Sequence, residues 1–84
     1  MTSETGKIKL YGTSWCGDTR RARSVFDQNG IPYEWIDIDK DIEARKFVEE
    51  TNRGYRSVPT ILFSDGSILV EPSEFTLRKK LGLD

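Results

Sequence analysis

The chain has 84 residues, 36% hydrophobic and 32% charged, with 13 basic side chains against 14 acidic ones for a formal net charge of −1. At this length folding buries only about 60 to 65% of the unfolded surface, which allows one core and one domain over residues 1–84 and excludes multi-domain machinery. Interleaved charges leave no basic stripe for a nucleic acid or an anionic membrane, and no apolar run approaches the roughly 20 residues of a membrane-spanning helix.

Residues 1–9 are polar and lack the basic-then-apolar order of a secretion signal, so a cytoplasmic location is expected, with residues 1–6 a flexible N-terminus. Residues 7–11 alternate polar and apolar and end at Gly12, which predicts a strand entering a loop. From 17 to 29 the apolar positions Ala22, Val25 and Phe26 fall at i, i+3, i+4, as on a helix with Arg20, Arg21, Arg23 and Asp27 on its wet face. Asn29-Gly30 closes that helix and Pro32 prevents a quick restart.

Residues 33–38, Tyr-Glu-Trp-Ile-Asp-Ile, carry the aromatic and β-branched content of a second strand. Asp41 then caps a helix over about 42–52 with Ala44, Phe47 and Val48 inward, and Gly54 ends it. A third strand at 60–63 and a fourth at 68–70 flank Ser64-Asp65-Gly66-Ser67, whose Asp-Gly supplies the positive φ of a tight hairpin. Ser73 caps a last helix that Leu77 and Leu81 dock. The predicted order is β-α-β-α-β-β-α, an α/β fold with a four-stranded mixed sheet and helices on both faces.

Cys16 is the only cysteine, and histidine is absent. No intramolecular disulfide can form, and zinc fingers, His-based metal sites and Ser-His or Cys-His hydrolases are excluded. A thiol, carboxylates and backbone dipoles remain. Cys16 lies between a strand and an arginine-rich helix, so its sulfur is expected over the unpaired N–H groups of the first turn, where the dipole favours thiolate over thiol. Arg20, four residues on, adds positive potential, Asp18 opposes it, and Thr19 is placed to aim a hydroxyl at the sulfur. The bland alternative is a buried structural cysteine, which the flanks Trp15 and Gly17-Asp18-Thr19 argue against.

Thr13-Ser14-Trp15-Cys16-Gly17-Asp18-Thr19 resembles the active-site loop of the thioredoxin superfamily, and Ser57-Val58-Pro59-Thr60 resembles its second signature. Their separation, the element order and the length are similar to those of glutaredoxins, specifically the mycoredoxin and NrdH-like small glutaredoxins of bacteria. The resemblance implies a thioredoxin-like fold, a cis peptide before Pro59, and a Val58 backbone that pairs with a bound peptide or thiol. Dithiol members carry a second cysteine where Thr19 stands. Without it the implied activity is a monothiol thiol-disulfide oxidoreductase acting on mixed disulfides between small thiols and client proteins. Its co-substrate is a low-molecular-weight thiol, glutathione or mycothiol, and the chain is expected to be a monomer with no metal.

The glutaredoxin Lys three residues before the cysteine is Thr13 here, and the Gly-Gly turn after the fourth strand is Val70-Glu71-Pro72-Ser73-Glu74; both departures weigh against glutathione. Arg56 stands where the family often meets the cofactor's carboxylate, its alternative being a solvated loop charge. Ser73 either helps bind a second carboxylate or serves as a plain cap. Trp15 either walls the thiol or fills core. Two other functions compete: a [2Fe-2S]-binding monothiol glutaredoxin-like module, disfavoured by Asp18-Thr19 in place of Phe-Ser, and a redox-inactive interaction domain with the same fold.

Overall fold

A computed structural model describes residues 7–83, so the expectation for 1–6 lies outside the described residues. The elements follow the predicted order: β1 (Lys9–Gly12), α1 (Gly17–Gln28), β2 (Glu34–Asp37), α2 (Ile42–Thr51), β3 (Thr60–Leu62), β4 (Ile68–Val70) and α3 (Glu74–Lys80). The ends move by one or two residues, and β1 runs into Gly12 because that glycine pairs with Asp37 on β2.

The sheet order is β2-β1-β3-β4, with β1 parallel to β2 and antiparallel to β3, and β3 antiparallel to β4. Period-2 alternation divides the side chains between two faces. Leu10, Ile61 and Phe63 meet Ala22, Val25 and Phe26 of α1 and Leu77 of α3 on one face. Tyr11 and Ile38 meet Ala44 and Val48 of α2 on the other, with Phe47 and Leu62 alongside. Helices therefore cover both faces, as predicted. Trp35 is only partly buried: the Arg23 guanidinium lies 4.1 Å from its ring centre.

The caps agree with the sequence. Asp41 Oδ1 accepts from Ala44 N–H at 3.0 Å and Ser73 Oγ from Thr76 N–H at 3.1 Å, each satisfying one of the free donors of a helix start. In the hairpin Asp65 Oδ1 accepts from the Ser67 N–H at 2.9 Å, and Asp65 Oδ2 takes the Lys80 ammonium at 2.9 Å, tying the turn to α3. These bonds hold the Asp65 carboxyl far below the usual carboxylate range, the Ser67 hydroxyl and amide contributing more than Lys80.

Candidate active site

The carboxyl end of β1 delivers the chain into a tight turn in which the Cys16 N–H reaches back to Thr13 O at 3.4 Å. Cys16 then takes the N-cap position of α1, with extended backbone angles (φ −82°, ψ 126°). This position normally holds an oxygen that accepts from the amides two or three residues on. Here it holds sulfur, and the side chain makes no capping hydrogen bond. The thiol is half-buried, and its Sγ lies 4.0 Å from the carbonyl oxygen of Val58. The sulfur thus stands beside unsatisfied helix amides and open to one side, so the alternative of a structural core cysteine is set aside.

Opposite it, the Val58-Pro59 peptide is cis, as the resemblance implied. Pro59 is buried, and its carbonyl accepts from the Glu71 N–H at 2.8 Å, which anchors the segment after β4 to the loop before β3. Among the described residues the Val58 N–H has no backbone acceptor.

Several side chains stand where the sequence alone did not place them. Thr19 is fully buried and its Oγ1 has no hydrogen-bond partner among the described residues, so the expected hydroxyl-to-sulfur contact is not made. Its side chain turns instead onto the end of β1: a Cβ added at Gly12 would sit 2.5 Å from Thr19 Cγ2 and 2.8 Å from its Oγ1. Thr13, which stands where the resemblance would put a lysine, is likewise buried, and its hydroxyl has no partner among the described residues.

Trp15 does not fill core. It is 70% exposed beside the thiol, with its indole N–H donating to Asp39 Oδ2 at 2.8 Å. Arg20 is exposed, its own N–H bonded to the Cys16 carbonyl at 3.0 Å. Asp18, also exposed, pairs with Arg21. The Arg56 guanidinium is held by Glu49 at 2.7 Å, and Ser73 acts as the helix cap described above.

A cleft of about 200 Å³ runs beside the start of α1, lined by Asp18, Arg21, Glu71, Ser73, Glu74 and Leu77 among others. Three carboxylates face one guanidinium there, and that guanidinium is already paired with Asp18. Glu71, at φ 49°, takes the left-handed conformation that a glycine adopts without cost. Asp39 was given no role from the sequence, Gly12 was read only as the end of a strand, and Glu71 and Glu74 only as part of the departure after the fourth strand. Glycine at the end of a strand leading to a reactive loop was a readable signal, whereas the Trp15–Asp39 contact spans 24 positions and left none. No group of three or more His, Cys, Asp or Glu side chains able to hold a metal occurs among the described residues, and no helix there is long and apolar enough to cross a membrane.

Comparison with known proteins agrees with this geometry. The glutaredoxin family model matches residues 8–68. A Mycobacterium tuberculosis protein assigned to the glutaredoxins is 40% identical over 77 residues, covering 92% of each chain. Mycoredoxin 1 of Corynebacterium glutamicum is 38% identical over 65 residues, 77% of this chain and 80% of its own. Among solved structures, a glutaredoxin from Methanosarcina mazei superposes with a TM-score of 0.73 at 27% identity, covering 93% of this chain and 80% of that one. None of these similarities favours the iron–sulfur or the interaction-only alternative. A cysteine capping α1 beside a cis-proline bend, a sheet of this order and a family match over residues 8–68 make the chain a member of the glutaredoxin family, a thiol oxidoreductase of the glutaredoxin type.

Proposed function

We propose that the protein reduces mixed disulfides between a small thiol and client proteins by a route that uses Cys16 alone. The observation that carries this reading is a half-buried N-cap sulfur set against the Val58 carbonyl, beside a Val58 N–H with no backbone acceptor, while the position of a resolving thiol is taken by a buried threonine. The Cys16 thiolate attacks the small-thiol sulfur of the mixed disulfide. That S–S bond breaks, the client sulfur leaves with the electron pair and takes a proton from solvent, and a Cys16–small-thiol disulfide forms. A second small-thiol molecule, as thiolate, attacks the bound small-thiol sulfur, leaving a symmetric small-thiol disulfide and restoring Cys16. Client disulfide bond order, protons and electrons balance without histidine or metal.

Of the two co-substrates, the cleft suits mycothiol better. Glutathione brings two carboxylates to a surface formed by Asp18, Glu71 and Glu74; mycothiol presents hydroxyls on a sugar–inositol body and no carboxylate. Like charges at such separations repel, and the relation to mycoredoxin 1 points the same way. Of the proposed binding residues only Ser73 lines this cleft; Arg20 is exposed outside its lining, and Arg56 is held by Glu49. The second step needs the small thiol in excess over its disulfide, a condition of a reducing compartment such as the cytoplasm, and the chain acts as a monomer.

The test is steady-state reduction of one peptide's mixed disulfides with mycothiol and with glutathione. Turnover of the mycothiol form at least about tenfold faster, lost in Cys16→Ser, supports the proposal. Turnover that survives Cys16→Ser refutes it.

A further inference from the structure

Trp15 is an unusual surface residue. A ring 70% exposed gains little by burial, yet it is held in one orientation by the bond from its N–H to Asp39 Oδ2. The bond fixes an aromatic face and a carboxylate side by side, immediately before the reactive cysteine. Among the described residues Asp39 enters no ion pair, so its charge is uncompensated by any partner. Around it stand Asp37, whose Oδ1 accepts from the Asp39 N–H at 2.9 Å, and Asp41, with Lys40 the one opposing charge in the turn.

An aromatic face beside a carboxylate is the arrangement that takes an ammonium or guanidinium, through the ring's quadrupole and the charge together. Resting on the monothiol reading above, we propose that the Trp15–Asp39 corner binds a lysine or arginine next to the client's cysteine, so that the enzyme selects mixed disulfides in basic sequence surroundings.

Sheet order supports the placement. Asp39 follows β2 on one side of β1, while Glu71 and the cleft follow β4 on the other. Disulfide exchange proceeds with the three sulfurs nearly in line. The departing client sulfur then lies beyond the small-thiol sulfur from Cys16, and with the small-thiol body seated toward the cleft, the side of Cys16 left for the client chain is the one where Trp15 and Asp39 stand. The two ends of the substrate meet different surfaces: the cleft takes the small thiol and the corner takes the client's flanking cation.

The experiment uses two peptides, identical except for Lys or Glu beside the single cysteine, each prepared as its mycothiol and its glutathione mixed disulfide. Release of peptide thiol by the full chain is followed in a single turnover at low salt. The Lys peptide is released about three- to tenfold faster than the Glu peptide, the size expected of an exposed cation–π contact with an exposed ion pair. Near 1 M salt the ratio falls to within about twofold, since the screening length is then only about 3 Å. Asp39→Asn, which keeps an acceptor for the indole, lowers the ratio, and Asp39→Lys reverses it. Equal release of both peptides by the wild-type chain, or a preference untouched by Asp39→Lys, overturns the assignment. Absence of release from all four substrates refutes the monothiol reading itself, so the two failures are distinct.

Discussion

Gly12→Ala probes the junction that sets the reactive loop. A methyl group there meets Thr19 Cγ2 at 2.5 Å and Oγ1 at 2.8 Å, against an ordinary contact of about 3.5 to 4.0 Å between carbon atoms. Thr19 is fully buried, so it cannot swing into solvent, and about 1 Å of relief has to come from moving the end of β1 or the first turn of α1. Close-packed interiors resist such shifts, and overpacking of this kind costs about 1 to 3 kcal/mol. A domain of 84 residues has roughly 4 to 13 kcal/mol of stability at typical values per residue, so the variant folds but melts about 5 to 20 °C lower. Urea unfolding followed by tryptophan fluorescence measures the loss. Adding Thr19→Ala removes both offending atoms, and the double variant should exceed the sum of the two single changes by at least about 1 kcal/mol of stability. Wild-type stability in Gly12→Ala, or additivity within about 0.5 kcal/mol, would refute the claim that Gly12 is required by Thr19.

Three further outcomes follow from particular residues. Thr13→Val keeps the shape of a buried side chain while deleting a hydroxyl that has no partner; such an unmade bond costs about 1 to 3 kcal/mol, so denaturant unfolding should show this variant at least as stable as wild type, and a loss beyond about 1 kcal/mol would mean that the hydroxyl is in fact bonded. Glu71→Gly relieves a left-handed backbone that costs a non-glycine residue about 1 to 2 kcal/mol, partly offset by the freer unfolded chain; a net gain of about 0.5 to 1 kcal/mol in thermal unfolding is expected, together with faster turnover of the glutathione mixed disulfide because one carboxylate leaves the cleft. Burial first, then the charges of Glu34 and Asp41, raise the Tyr11 phenol above its ordinary value of 10.0. The fold therefore favours the protonated phenol, its contribution is complete below about pH 10, and stability falls as pH rises through the folded value; Tyr11→Phe should flatten that alkaline decline, and an unchanged slope would assign it elsewhere.

Most of the framework was readable because local signals agreed with one another: the 3.6 periodicity of Ala22, Val25 and Phe26, the caps at Asp41 and Ser73, and the Asp65-Gly66 turn each reappear in place. The reactive loop and the proline bend were legible as a resemblance, since Trp15-Cys16-Gly17 and Val58-Pro59 are short contiguous motifs. What escaped depends on tertiary contacts between distant positions. Whether Trp15 turned inward was decided by Asp39, 24 residues away. Thr19 lay one helical turn from the sulfur, and helix geometry alone allowed its hydroxyl to reach it; the absence of a side chain at Gly12 drew it the other way. Arg56 reads as a free loop cation until Glu49 is seen beside it. Element type is a local property, whereas side-chain partnership is set by the whole fold.

The identity of the group carried on Cys16 during turnover tests the monothiol account most directly. Rapid acid quenching of the enzyme with a mycothiol mixed disulfide of a peptide, followed by mass spectrometry of the Cys16 segment, should show mycothiol bound to that sulfur, appearing as peptide thiol is released and disappearing when free mycothiol is added. Peptide attached to Cys16 in place of the small thiol, or release of peptide thiol with Cys16 unmodified throughout, would contradict it.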